Sequence, residues 1–129
     1  MELYIGGVGQ GKLEYVLETH KGLRCKIVDG EETDKFQSCF PDETVVFFNL
    51  HLWIRKMLKE GKNAEEQAKQ LFDQHPDCII VSDEIGNGLV PTDAFERQYR
   101  DVTGRILIEA AERSERVERI ICGLAQRLK

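Results

Sequence analysis

The ten residues that decide the fold are LYIGGVGQGK, at positions 3–12. A short apolar run at positions 3–5 leads into four glycines within six residues, and Lys12 closes the stretch. The residues that follow, 13–20, have the composition of a helix. The stretch therefore predicts a strand, a tight loop and a helix in succession.

The loop matches a phosphate-binding pattern, because Gly6 is followed after four residues by Gly11 and Lys12. Such glycines let consecutive backbone N–H groups converge on one anion, and the next helix presents its positive end to the same point. Lys12 is then expected to reach the β- and γ-phosphates of a nucleotide, with a catalytic role. The alternative is a simple glycine-rich turn with a solvated lysine. The candidate nucleotide-binding residues are Gly6, Gly7, Val8, Gly9, Gln10, Gly11, Lys12 and Leu13.

Leu13 departs from the pattern, which ends in Ser or Thr. In nucleotide-hydrolysing proteins that hydroxyl is a ligand of Mg²⁺, and a leucine side chain cannot replace it. The sequence therefore predicts binding of ATP or GTP more strongly than it predicts Mg²⁺-assisted phosphoryl transfer.

The overall charge limits the class of partner. The chain has 129 residues and a formal net charge of −5. This length predicts one domain over residues 1–129. An acidic chain lacks the basic excess that a general nucleic-acid binder needs, so no nucleic-acid partner is expected.

The cysteines and the apolar runs bear on the compartment. Cys25, Cys39, Cys78 and Cys122 form no Cys-x-x-Cys pair and mostly lie in apolar runs, which favours small buried residues over disulfides or metal ligands. No apolar run is long enough to cross a membrane, and no signal peptide is recognisable. We therefore expect a cytoplasmic protein with no membrane partner.

Strand-like and helix-like segments alternate along the rest of the chain. Residues 44–48 and 78–81 are continuous apolar runs, as in parallel strands covered on both faces. Residues 50–58 carry an apolar stripe at helical spacing after a candidate cap at Asn49, and 117–122 predict a last strand followed by a short basic tail. Residues 31–42 are expected to form a loop with one helical turn, and 86–91 a mobile loop. The fold class is α/β: a three-layer α/β/α sandwich of the P-loop NTPase type, with a mostly parallel sheet of about five strands.

Two carboxylates stand just past the end of the 78–81 strand. Asp83 and Glu84 are candidate catalytic residues there, because ligands of open α/β sheets bind at the carboxyl ends of the strands. Asp83 is also the candidate metal ligand, holding Mg²⁺ through water, while either carboxylate can orient a hydroxyl nucleophile. Helix capping with solvation is the alternative. His51 and His75 have no acidic or cysteine partner at ligand spacing and are predicted to be surface or cap residues.

The long helix that begins near Asp93 carries three arginines of interest. Arg97, Arg100 and Arg105 are candidates for binding phosphate or substrate, and a solvated helix face is the alternative. Gly104 is an unusual glycine within a helix, and it suggests close approach of another backbone or a ligand.

A family resemblance rests on the second half of the chain. The stretch VSDEIGNGLVP at positions 81–91, then Arg97, residues 99–101 and residues 104–105, resembles the hallmark of the adenosylcobinamide kinase / adenosylcobinamide-phosphate guanylyltransferase family. The ending ICGL at 121–124 resembles that family's V-S-G-I. The resemblance implies a nucleotide in the glycine loop, phosphorylation of a corrinoid side-chain hydroxyl, guanylyl transfer through a histidine, and a homo-oligomer that is a trimer.

Departures from the family lead to two functional hypotheses. Leu13 replaces a hydroxyl, Asn49 stands where the family has an acidic residue, and residues 31–43 contain no histidine to accept a guanylyl group. The first hypothesis is a cobinamide kinase-like enzyme of cobalamin biosynthesis that uses ATP or GTP and lacks guanylyltransferase activity. The second is a non-catalytic relative that binds a nucleotide or a corrinoid and has lost Mg²⁺-dependent chemistry.

Overall fold

A computed structural model describes residues 1–33, 42–86, 88 and 92–129. The helical turn expected within 31–42, Cys39, and most of the loop expected at 86–91 lie outside these residues. Within the described ranges the elements are β1 (Glu2–Gly6), α1 (Lys12–Thr19), β2 (Cys25–Asp29), β3 (Thr44–Phe48), α2 (Leu50–Lys59), α3 (Ala64–Gln74), β4 (Ile79–Asp83), α4 (Ala94–Arg113), β5 (Arg116–Ile121) and β6 (Leu124–Arg127).

The strands form one sheet in the order β2-β3-β4-β1-β5-β6. Neighbouring strands are parallel except for β5 and β6, which are antiparallel. Gly6 is in register with Asp83 of β4 on one side and with Ile120 of β5 on the other. This register brings the beginning of the glycine loop and the candidate carboxylates to the same edge of the sheet.

Helices cover both faces of the sheet, which confirms the three-layer α/β/α architecture. Residues of α2, α3 and α4 pack with Leu3, Phe47 and Ile80 in the larger core. Val16 of α1 packs with Tyr4 and alternate strand residues on the opposite face. The wholly apolar strands are explained by this arrangement, because a strand with helices on both sides buries both sets of side chains.

The local patterns set most helix boundaries. Residues Leu50, Trp53, Ile54 and Met57 of the predicted stripe are buried on α2. The Asp93 side chain accepts a hydrogen bond from the amide of Glu96 and caps α4. Asn49 occupies the predicted N-cap position of α2, but its side chain does not cap the helix. Its backbone is left-handed (φ 60°), and its side chain makes no cap bond to the helix and donates to Asp29 instead, at 3.1 Å.

The sequence did not predict the sixth strand. The sequence predicts a short basic tail after residue 122, whereas residues 124–127 pair with β5 as an antiparallel edge strand. The connection is a two-residue turn, Cys122-Gly123, and both residues have positive φ angles, 52° and 74°. Turns of this kind match the twist of paired strands, so the turn explains why the chain folds back here. All four residues of β6 are exposed, which left no apolar alternation to detect.

The longest helix, α4, has 20 residues and buries Tyr99, Val102, Ile106 and Ala110 against the core. Its other faces are rich in charged side chains. Within the described ranges, none of the helices has both the length and the apolar character needed to cross a bilayer.

The described cysteines differ in exposure. Cys78 is buried, Cys25 is half-buried, and all three in the described ranges are free thiols. Cys122 lies at the exposed β5–β6 turn, so the expectation that it is buried is wrong.

Candidate nucleotide-binding site

The glycine loop joins β1 to α1 with a backbone that requires glycine at particular positions. Gly9 and Gly11 have positive φ angles, 68° and 83°, which favour glycine. A Cβ atom on Gly6 would lie 2.5 Å from the carbonyl oxygen of Ile120 on the neighbouring strand. The glycines therefore serve a tight turn and a close strand contact, as the phosphate-loop pattern predicts.

The amides of this loop are available to a ligand. Within the described part of the chain, no main-chain carbonyl accepts a hydrogen bond from the N–H groups of residues 7–11. Val8 and Gly9 at the tip are exposed. Helix α1 begins at the next residue, and its N-terminus adds a partial positive charge. The loop thus places N–H groups without a main-chain acceptor at the positive end of a helix, which suits an anion.

Lys12 is not solvated, because only 6% of the residue is exposed. Its Nζ donates to the carbonyl oxygen of Gly7 at 2.7 Å and lies 2.6 Å from Oδ1 of Asp83. The ammonium group is therefore held beneath the loop by one carbonyl and one carboxylate. An anion bound by the loop amides would lie close to it.

The second oxygen of Asp83 contacts His51, a residue that the sequence pattern places outside the site. Nε2 of His51 lies 3.3 Å from Oδ2 of Asp83, and the Asp83 amide donates to Nδ1 of the same ring at 3.1 Å. His51 is buried, so its prediction as a surface or cap residue is wrong. His75 does occupy the C-cap of α3. Sequence spacing could not reveal the His51–Asp83 contact, since the residues come from two different elements.

Burial determines the protonation of His51. Loss of solvation lowers the pKa of the imidazole below 6.5, and the nearby Lys12 lowers it further. The carboxylates of Asp83 and Asp29 act in the opposite direction and do not outweigh burial. The ring is therefore neutral at physiological pH.

Glu84 is held away from Lys12 by a different cation. The amide of Glu84 donates to the carbonyl of Gly6 at 2.8 Å. Its carboxylate accepts a hydrogen bond from Nη2 of Arg119 at 3.0 Å, and Nε of Arg119 lies 2.8 Å from the other oxygen. The structure thus brings Lys12 and Asp83 together and gives Glu84 a separate partner, which local sequence pattern could not indicate.

The β5–β6 turn supports the loop from the side. The amide of Cys122 donates to Oε1 of Gln10 at 2.7 Å, and the amide of Gly123 donates to the Gln10 carbonyl at 2.8 Å. The Cα of Gly123 would lie 3.5 Å from a Cβ added to Gly11. The ICGL motif noted in the sequence is therefore a turn that contacts the glycine loop.

The three candidate arginines lie along α4, and the structure gives each a different environment. Arg97 is exposed and donates to the carbonyl of Thr92, and Arg105 is exposed and pairs with Glu65 of α3 at 2.8 Å. Arg100 packs against Gly86, and its buried Nη1 has no partner among the described residues. Arg100 and Arg105 line a groove of about 410 Å³ between α4 and the segment after β4.

The described side chains do not form a complete protein-held Mg²⁺ site. No group of three or more His, Cys, Asp or Glu side chains converges on a metal position within the described ranges. Leu13 packs against the apolar cluster around Val16 and offers no oxygen. Both oxygens of Asp83 contact nitrogen atoms, so the role of Asp83 as a metal ligand stays a prediction.

A mostly parallel sheet, a glycine loop with free amides before a helix, and a buried lysine define a protein of the phosphate-loop class. Within that class, the chain belongs to the cobinamide kinase / cobinamide phosphate guanyltransferase family, which matches residues 16–128. The glycine loop precedes the matched range. The chain is also similar to the bifunctional adenosylcobalamin biosynthesis protein CobU of Escherichia coli (strain K12), with 27% identity over 79 residues. That match covers 60% of this chain and 44% of the relative, so the chain matches less than half of the relative's length.

Proposed function

We propose that the chain is a cobinamide kinase-like enzyme of cobalamin biosynthesis, which transfers the γ-phosphoryl group of ATP or GTP to a corrinoid side-chain hydroxyl. The observation that carries the proposal is the pairing of free loop amides with Lys12 and Asp83 at one edge of the sheet. Family membership supplies the reaction class and the acceptor.

In this proposal the loop binds the phosphates of the nucleotide. The amides of residues 7–11 donate to phosphate oxygens, and Lys12 moves its ammonium group from Asp83 to the β- and γ-phosphates. Positioning and electrostatic stabilisation supply most of the acceleration in phosphoryl transfer, so few further groups are needed. Leu13 contributes only its amide and its packing.

Asp83 then acts on the acceptor. The hydroxyl oxygen forms a bond to the γ-phosphorus while the bond from phosphorus to the β–γ bridging oxygen breaks. The hydroxyl proton passes to Oδ1 of Asp83, and ADP or GDP leaves. Asp83 is proposed as the base ahead of Glu84, because Asp83 contacts the lysine that is proposed to bind the phosphates, whereas Glu84 pairs with Arg119.

The acceptor is proposed to lie in the groove beside α4. Arg100 and Arg105 line it, and the groove begins at Ile85, two residues after Asp83. Gly104 also lines the groove, and apart from the adjacent turns of α4 itself no atom of the described residues lies within 4 Å of where its Cβ would be. Arg97 is proposed to contact a phosphate or the corrinoid at the outer end of the helix.

Single-turnover transfer tests the proposal. Excess protein is mixed with [γ-³²P]ATP or [γ-³²P]GTP and cobinamide, with and without Mg²⁺, and labelled cobinamide phosphate is measured. We expect transfer by the wild type and at least a ~100-fold lower rate for Asp83→Asn, with nucleotide still bound. Glu18→Gln, the same change at an exposed ion pair, is the matched control. Normal nucleotide binding without any transfer would refute the kinase.

A second candidate function is favoured by Leu13 and by the incomplete set of metal ligands. In this alternative the chain binds a nucleotide or a corrinoid without catalysis. Calorimetry would then show nucleotide affinity that is nearly the same with and without Mg²⁺. A strong dependence on Mg²⁺ would contradict this alternative.

Two further expectations belong to the proposal. We propose no guanylyltransferase activity, because residues 31–43 lack a histidine. GTP incubated with cobinamide phosphate should therefore yield no guanylylated product.

The trimer implied by the family resemblance also stays a prediction, and light scattering of the purified protein would measure it.

A further inference from the structure

His51 occupies an unusual position for a histidine with no place in the sequence-based site. It is the second residue of α2, which begins directly after β3, and its ring extends beneath the end of β4. Only 6% of the residue is exposed. The charged groups that act on it come from three elements: Asp83 of β4, Lys12 of α1 and Asp29 of β2.

One hydrogen bond defines the tautomer of His51. A backbone amide can only donate, so the 3.1 Å bond from the Asp83 amide requires a lone pair on Nδ1. The proton of the neutral ring is therefore on Nε2, which lies 3.3 Å from Oδ2 of Asp83. One ring thus contacts both the main chain and the side chain of the same aspartate.

These contacts make the two oxygens of Asp83 unequal. Oδ2 faces the His51 ring, whereas Oδ1 faces the ammonium group of Lys12 at 2.6 Å. When phosphate draws Lys12 away, Oδ1 loses its partner and Oδ2 keeps His51. A carboxylate without the histidine would be free to rotate at that moment.

We propose that His51 is a positioning residue, which holds Oδ2 of Asp83 so that Oδ1 alone is presented to the acceptor hydroxyl. The inference rests on the proposed kinase function and assigns a role to a residue outside the glycine loop and the family motifs. The contact of Nε2 with Oδ2 at 3.3 Å is the observation behind this role. Supporting contacts to a reactive group commonly fix its orientation, and their loss costs about 10–100-fold in activity.

Two substitutions separate the two contacts of the ring. In His51→Asn the amide oxygen lies near the place of Nδ1 and can accept from the Asp83 amide, but nothing reaches Oδ2. In His51→Gln the longer side chain places an N–H near the position of Nε2 and can donate to Oδ2. His75→Asn, at the C-cap of α3, is the control for loss of a histidine.

The experiment compares kcat with nucleotide affinity for the three variants. We expect His51→Asn to lower kcat about 10–100-fold with a nucleotide Kd within about twofold of the wild type. His51→Gln should recover most of that loss, and His75→Asn should match the wild type. Equal losses in both His51 variants, or a loss confined to nucleotide affinity, would overturn the positioning role. Thermal unfolding of each variant identifies a loss that is due to misfolding.

A second measurement does not depend on catalysis. Nitrogen NMR of ¹⁵N-histidine-labelled wild type at pH 8 should show the His51 ring protonated at Nε2 alone. A ring protonated at Nδ1 would overturn the inference whether or not phosphoryl transfer is observed. An Nε2-protonated ring in a protein that transfers nothing would refute the proposed kinase while leaving the His51–Asp83 arrangement intact.

Discussion

At the scale of single residues, the ion pair between Lys12 and Asp83 links the stability of the protein to its chemistry. The side chains are 5% and 16% exposed, so each charge depends on the other for compensation. Removing one member of a buried pair leaves an uncompensated charge and typically costs about 3–5 kcal/mol. The same lysine is the cation proposed to bind phosphate, so its loss has two separable effects.

We expect Lys12→Met to lower the free energy of unfolding by about 3–5 kcal/mol and to weaken nucleotide binding at least ~100-fold. Urea denaturation and calorimetry measure the two effects. The double variant Lys12→Met/Asp83→Asn removes the unpaired charge, so it should regain most of the stability without regaining nucleotide binding. A single variant as stable as the wild type would show that the pair is not buried in solution.

At the scale of elements, Gly6 and Gly104 differ in the space available for a side chain. Gly6 lies between β1 and β5, where an added Cβ would be 2.5 Å from a backbone oxygen that cannot move aside easily. Gly104 lies within α4, where an added Cβ would have no described atom within 4 Å apart from the adjacent turns of the helix. We expect Gly6→Ala to destabilise the protein by about 1–3 kcal/mol or more, as overpacking does.

Gly104→Ala should instead raise the free energy of unfolding by about 0.5–1 kcal/mol, since alanine favours the helix. Denaturation of both variants measures the contrast. If Gly104→Ala lowers transfer to cobinamide while raising stability, Gly104 keeps the groove open for the acceptor. A destabilised Gly104→Ala variant would contradict the open environment of this position.

The β5–β6 turn is a second feature at the scale of elements, because it contacts Gln10 and holds the glycine loop in place. We expect Gln10→Ala to lose the 2.7 Å bond from the Cys122 amide and to weaken nucleotide binding about threefold to tenfold. The free energy of unfolding should fall by only about 0.5–1.5 kcal/mol. An unchanged nucleotide Kd would indicate that the loop keeps its shape without this contact.

Much of this organisation was predictable from sequence, and the failures have a common cause. The 44–48 strand, the α2 stripe and the beginning of α4 near Asp93 depend on residues a few positions apart, so local patterns predict them. The His51–Asp83 and Glu84–Arg119 contacts depend on strand order and register, which no local pattern encodes. Strand β6 was missed because its pairing depends on the Cys122-Gly123 turn and its residues are all exposed.

At the scale of the whole molecule, burial of ionisable groups makes the free energy of unfolding depend on pH in the alkaline range. Burial raises the pKa of the Cys78 thiol from 9.0 to about 12 and that of the Tyr99 phenol from 10.0 to about 12. The unfolded chain releases these protons at lower pH than the native protein does. The contribution of these two groups to the free energy of unfolding is therefore fully present below pH 9 and is lost as the pH rises towards 12.

We expect the free energy of unfolding to fall above pH 9 with a slope of up to about 1.4 kcal/mol per pH unit for each group. Urea denaturation at pH 8–11 measures the slope. Cys78→Ala removes the contribution that begins near pH 9 and should flatten the curve there. An identical curve for this variant would show that the thiol ionises normally in the native state.

The ion pair between Lys12 and Asp83 also affects the rate at which a nucleotide would associate with the protein. A polyanion approaches a molecule with a net charge of −5, and the ammonium group of Lys12 beneath the loop is already matched by a carboxylate. Long-range attraction thus gives little help to diffusional encounter. Added salt slows electrostatically steered encounters, but stopped-flow association rates here should stay constant or increase with ionic strength. Binding of the nucleotide would then depend on movement of the Lys12 ammonium group from Asp83 to the phosphates after the first contact.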